Sequence, residues 1–217
     1  MDIPSAGHGI KTEKTFGNAM KDGIRDYIDA DADRIAEMID REWKISEYGG
    51  DWHAACRMLV DFWMKDSDIR KVCLHNGQIA GVVSATVRPG HTPIPEGLGD
   101  LGVSDSMAND LLLLTGADDE ILETADIGGF GRLDLLMVSE DCKGKGIGGK
   151  LFTLAAEYLR SEGCKGVYWA TDTDCNTGFY NHIGARPIGQ RDLVLSAEEL
   201  TRFIYVLHLR RRLRTPG

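Results

Sequence analysis

"LMVSEDCKGKGIGGKLF", residues 136–152, joins an apolar run to a helix-like pattern through a loop that holds four glycines and three lysines. The run begins upstream as "RLDLLMV" and reads as a strand buried on both faces. After the loop, Ile147, Leu151, Ala155 and Leu159 recur on one helical face, and Gly163 is well placed as the stop. A strand, a glycine loop and a helix N-terminus together make an anion site. N–H groups point outward, the helix dipole favours negative charge, and glycines let a phosphate come close. Gly144-x-x-x-x-Gly149-Lys150 fits a nucleoside-triphosphate loop up to its last residue. There the Ser or Thr that would hold Mg²⁺ is replaced by Leu151, on the apolar face. Gly144-x-Gly146-x-x-Gly149 fits a dinucleotide fingerprint, with Asp172 near where a ribose-binding acid belongs.

The flanking chain decides the class. "GIRDYID", residues 23–29, alternates as a short strand, and "DADRIAEMIDREWKI" and "DWHAACRMLVDFWMK" repeat at helical spacing. "IRKVCLHNGQIAGVVSATV" is a hairpin turned by Asn76-Gly77, both of which tolerate positive φ. Downstream come a strand "GVYWATD", a short helix "NTGFYNHIG" and a last strand "RFIYVLHL". Hairpins first and one parallel crossover later give a mixed α/β (α+β-like) sheet. A doubly wound dinucleotide domain needs more β-α units than remain after the loop.

Of 217 residues, 42% are hydrophobic and 27% charged, an ordinary globular balance, and no apolar run is long enough for a membrane span. The N-terminal stretch lacks the pattern of a secretory signal, so cytoplasm is the expected location. Five scattered cysteines without a C-x-x-C argue against a disulfide framework and a zinc site; no metal is expected. The net charge of −9 is matched by nine carboxylates and no Lys or Arg within residues 89–130. The rest is balanced, so neither nucleic acid nor membrane is an expected partner. Within that acidic segment only "SDSMANDLLLL" is helix-like. The expected organisation is an arm at 1–22, one domain at 23–209 with the acidic insertion, and a basic tail at 210–217.

The strand ending Leu136-x-Val138, followed by Lys143-x-x-Gly146-x-Gly148, resembles the central motif of the GNAT N-acetyltransferase superfamily, in which an Arg or Gln stands at the Lys143 position. "IRDYIDADADRIAEMI" is similar to that family's opening strand and helix. "DTDCNTGFYNHIGA" is similar to its downstream motif, where an Asn precedes a Phe-Tyr pair and a helix-ending Gly. Lys143 and Ala185, where an aromatic is common, depart from the pattern. The resemblance implies a mixed sheet with helices on both faces and two strands splayed at a cofactor cleft. It implies acetyl-CoA as co-substrate and direct attack by the primary amine of a small molecule or peptide in a ternary complex. Two other classes stay open: an acyl-CoA-binding sensor without turnover, and an NAD(P)-dependent oxidoreductase.

In that reading Met137 and Val138 offer backbone to the cofactor arm, and Val138 N–H is an oxyanion donor. The pyrophosphate rests on the loop backbone of Lys143, Gly144, Lys145, Gly146, Ile147, Gly148 and Gly149. Asn176 and Phe179 line the cofactor arm, and Asn176 equally suits a helix N-cap. Tyr180 is the candidate general acid, with simple packing on the sheet as its alternative. Asp134, spaced two and four residues before Leu136 and Val138 and so expected on their strand face, is the candidate base; a salt bridge at the strand start is its alternative. The acidic segment either gathers a cationic amine or is a solvated loop. A homodimer is left open.

Overall fold

The protein is described here by a computed structural model that covers residues 22–90, 100, 104–175 and 177–209. The arm before residue 22, the tail 210–217 and Asn176 lie outside the described residues.

The chain forms one seven-stranded sheet. The opening strand β1 (Gly23–Asp26) is shorter than its alternation predicts, because the chain turns into a 3-10 turn at Asp29–Asp31. Arg25 holds Asp31 through two hydrogen bonds of 2.6 and 2.7 Å and fixes that turn. Helix α1 (Ala32–Trp43) buries Ile35, Ala36, Met38 and Ile39. Helix α2 (Trp52–Met64) starts where the Asp51 carboxylate accepts the Ala54 N–H at 3.0 Å, an N-cap that satisfies a first-turn donor. The hairpin β2 (Ile69–His75) and β3 (Gln78–Thr86) turns on Asn76 at φ 53° and Gly77 at φ 79°. Then come α3 (Asp105–Glu123), β4 (Phe130–Val138), α4 (Ile147–Ser161), β5 (Gly166–Asp172), α5 (Thr177–His182), β6 (Arg186–Val194) and β7 (Glu199–His208). The strand order is β1-β2-β3-β4-β5-β7-β6, with β4–β5 the one parallel pairing.

Helices α1 and α2 pack on one sheet face over Val72, Leu74, Val82, Leu135 and Met137. Helix α4 covers the other face, with Leu151, Phe152, Ala155 and Leu159 against Val83, Leu133, Val167 and Trp169. Leu151 is fully buried. The apolar packing that removes it as a Mg²⁺ ligand is also what holds α4 to the sheet, and Leu→Ala at such a site costs about 2–5 kcal/mol.

Two features of β4 differ from the sequence reading. Its rows are unequally buried, with Leu133, Leu135 and Met137 inside and Arg132, Asp134, Leu136 and Val138 half-buried. The β3–β4 register also steps at Asp134: Ser84 faces Leu135 while Ala85 faces Leu133. This one-residue bulge inverts the side-chain alternation. Leu133 therefore joins the α4 face, whereas Leu135 and Met137 join the α1–α2 face.

The acidic segment is not simply a solvated loop. Helix α3 runs for 19 residues, longer than its apolar core predicts, and buries Met107, Asp110, Ala117 and Ile121. Strand β6 has no alternating apolar signature: "RPIGQRDLV" is an exposed edge strand carrying a Pro and three charges, which do not compromise an unpaired edge.

Candidate active site

Strands β4 and β5 pair only at Phe130–Gly166, Gly131–Val167 and Arg132–Tyr168. Beyond those rungs β5 continues to Asp172 against β7, while β4 continues to Val138 against β3. The two strands diverge, and a gap opens at their C-terminal ends. The Ser139 N–H bonds to the Ala80 carbonyl on the β3 side at 2.9 Å. Alternation along the strand then directs the Val138 N–H into the gap.

The glycine loop closes the end of this gap. Gly144 (φ 78°) and Gly146 (φ 74°) are left-handed, and Gly146 is the N-cap of α4. A Cβ on either would meet nothing within 4 Å. Conformation, not space, therefore demands glycine, and an L side chain in that region costs about 1–2 kcal/mol. Ile147 is buried and pins the helix start over β3. The close approach needs Gly81, because a Cβ there would lie 2.9 Å from both Ile147 Cγ2 and Leu151 Cδ1. The N–H groups of Ile147, Gly148 and Gly149 open the helix and have no acceptor four residues back. Gly148 lies over Val138, and Gly149 faces the Phe179 ring. The Lys143 ammonium turns to Glu140 at 2.6 Å and to Glu42 of α1 at 3.2 Å, and these carboxylates raise its pKa. Its side chain ties the loop to α1, and Lys145 reaches the Cys142 thiol at 3.9 Å.

Helix α5 stands beside the gap. Tyr180 packs at ring-centroid distances of 4.9 Å from Trp169, 5.6 Å from Tyr205 and 5.4 Å from Phe179. Burial pushes its phenol well above the ordinary tyrosine range, with the Cys175 and Asp172 charges adding to that. The nearby Thr171 hydroxyl pulls the other way, yet makes no aligned hydrogen bond. Trp169 Nε1 and Thr171 Oγ1 are both buried and without a partner. They lie two residues apart on β5, hence on one strand face. Sequence reading passed over Trp169, Thr171 and Tyr205, although period-two placement on β5 and β7 was the signal that finds them.

Asp134 does not lie where its spacing placed it. The bulge removes it from the face of Leu136 and Val138 and turns it toward α2. Its side chain is 3% exposed. It accepts from Ser67 at 2.9 Å, from Thr86 at 2.6 Å and from Arg132 Nε. A carboxylate so held by donors is kept anionic and fixed. Asp172 is also engaged, bonded to Arg202 at 3.2 Å, so it is not a free ribose ligand. His182 is exposed. Two surface hollows, of about 350 and 240 Å³, lie elsewhere, at Asp26, Arg70 and Tyr158 and at Ile127, Arg186 and His208. Among the described residues no group of three or more His, Cys, Asp or Glu is placed to hold a metal, and no helix is long and apolar enough to cross a membrane.

The model of the acetyltransferase (GNAT) family matches residues 34–185, from α1 through the end of α5. The chain belongs to the GNAT acetyltransferase family. The matched span contains the divergent strands, the glycine loop and the Phe179-Tyr180 pair. No curated protein matches the sequence. Among solved structures, the GNAT-superfamily phosphinothricin acetyltransferase from Sinorhizobium meliloti, in complex with acetyl-CoA, superposes with a TM-score of 0.56 at 13% identity over 88% of this chain and 89% of that one. The ribosomal-protein-alanine N-acetyltransferase from Brucella melitensis gives 0.55 at 15% identity over 86% and 99%. An N-acetyltransferase from Staphylococcus aureus Mu50 gives 0.55 at 14% identity over 88% and 100%. At these identities the structural likenesses speak for the GNAT fold alone.

Proposed function

We propose that the protein is an acetyl-CoA-dependent N-acetyltransferase acting on a primary amine by direct attack, with both substrates bound together. The observation that carries this is the divergence of β4 from β5 after Arg132–Tyr168, with the N-terminus of α4 at one end of the gap and Tyr180 at its side. Acetyl-CoA supplies a thioester carbonyl open to attack by an amine. The residues present suit such a co-substrate: left-handed glycines, unpaired first-turn N–H groups, an open strand edge and two orphaned polar atoms.

The loop backbone from Lys143 to Gly149 takes the phosphates, with the Lys143 side chain as tether. Val138 N–H faces the gap as a donor to a carbonyl oxygen gaining charge. Tyr180 keeps its proton through the neutral range and is placed to give it to a departing thiolate. Met137 and Phe179 wall the cleft, and Asn176 serves as a further contact to the cofactor arm. Most of the rate gain comes from holding the two substrates together. Asp134 acts as an anchor for Arg132 and the bulge rather than as the proton acceptor, which leaves deprotonation of the amine to water.

Thiol release from acetyl-CoA over a panel of amines tests the reading, with calorimetry of CoA alone as control. Turnover on at least one amine is expected. CoA binding without any turnover would favour the acyl-CoA sensor, and NAD binding tighter than CoA would favour the oxidoreductase.

A further inference from the structure

We infer that α3 is a fixed roof over the acceptor face of the cleft, stitched down by Asp110, and that it restricts the acceptor to a small-molecule amine. This rests on the N-acetyltransferase reading. Helix α3 lies on the face opposite α4. Its first turn enters the α1–α2 cluster through Met107, together with Leu135 and Met137 of β4. Its last turn enters a separate cluster through Ile121, with Tyr168 of β5 and Ile204 and Val206 of β7. The helix therefore bridges from the β4 side of the gap to the β5 side. The glycine loop and α5 sit on the far face, so a thioester held in the gap is open to an amine only from beneath α3.

The roof is held by polar contacts that a mobile lid would not need. Asp110 is 5% exposed and is the meeting point of three elements. It accepts from Tyr48, in the turn between α1 and α2, at 3.1 Å. It accepts from both the N–H and the hydroxyl of Ser196, in the turn between β6 and β7, at 2.9 Å each. Two turns per helix further on, Asp118 grips Arg202 of β7 through two hydrogen bonds of 2.9 Å, and Arg202 reaches Asp172 at the end of β5. Ile121 lies so close to β6 that only glycine fits at Gly189. A polypeptide acceptor needs an open trough leading away from the gap. Here the two flanking turns are clamped to the helix that crosses it.

Binding of CoA conjugates tests this without any turnover. Three probes are compared on the full chain by calorimetry: CoA, CoA joined through an S-acetamide bridge to ethylenediamine, and CoA joined by the same bridge to the N-terminus of a decapeptide. The small conjugate is expected to bind at least as tightly as CoA. The decapeptide conjugate is expected to bind about tenfold more weakly or worse, because it must displace the helix. In the Tyr48→Phe/Ser196→Ala double variant, the decapeptide conjugate regains most of that loss while CoA itself is unchanged. A decapeptide conjugate that binds the wild type as tightly as CoA overturns the roof and makes a polypeptide the acceptor. A folded double variant that still excludes the peptide overturns the role of Asp110. If the double variant does not fold, the wild-type comparison decides. Failure of CoA itself to bind overturns the parent reading instead.

Discussion

Tyr180 owes its chemistry to three rings and a missing partner. Enclosed by Trp169, Phe179 and Tyr205, its phenol loses hydration, and the charged form suffers most. Tyr180→Phe is expected to lower kcat by about 10²–10⁴ while CoA affinity stays within about twofold, read by steady-state rates and calorimetry. The raised pKa fixes a sign as well. The folded protein keeps this proton where the unfolded chain, with a phenol near about 10, has released it. Tyr180 therefore contributes stability that is fully present below about pH 10 and lost as pH rises through the folded value. Asp134 calls for a different experiment. Asp134→Asn leaves Arg132 without its carboxylate and should cost about 3 kcal/mol in urea unfolding, with the acid limb of kcat/KM unmoved. Disappearance of that limb at unchanged stability would restore Asp134 as the base.

At the scale of elements, α4 and α3 are held in opposite ways. Helix α4 is positioned by apolar burial and by a start that only left-handed glycines permit. Gly146→Ala should weaken CoA binding and cost about 1–2 kcal/mol of stability, measured by calorimetry and denaturation. Helix α3 hangs on ion pairs. Burial lifts the Asp118 carboxyl above its usual range although Arg202 pulls it down. Arg202→Ala, which leaves Asp118 and Asp172 without their guanidinium, is expected to destabilise by about 3–5 kcal/mol. Arg202→Met combined with Asp118→Asn should recover part of that loss; a double variant no better than Arg202→Ala would mean the pair is not what anchors the helix.

Across the whole molecule the acidic charge is less available than its sequence density implies. Asp118 is bound to Arg202, Glu120 to Arg191, and Asp110 to Tyr48 and Ser196. Neutralising Asp118, Asp119 and Glu120 together should therefore lower the melting temperature more than it changes acceptor kcat/KM. Saturating CoA, at about a hundredfold over Kd, should add about 2.7 kcal/mol, or roughly 5–10 °C in melting temperature for a chain of this size. A flat melting curve with CoA would count against the cofactor reading.

The sequence by itself determined the glycine loop, the strand before it, the helices on either side and the hairpin. Each is written in local chemistry: Asn76-Gly77 for the turn, left-handed glycines for the loop, and apolar periods for the helices. It also put Tyr180 and Val138 among the candidates. Only the tertiary structure decided what a one-residue bulge does to β4. Register belongs to a pair of strands, so no count along one strand could show that Asp134 leaves the face of Val138. The tertiary structure also decided β6, whose exposed edge needs no apolar alternation, and α3, whose carboxylates meet partners 62 to 86 residues away in the chain. Local patterns fix which elements form; long-range pairing fixes which side chains the elements bring together.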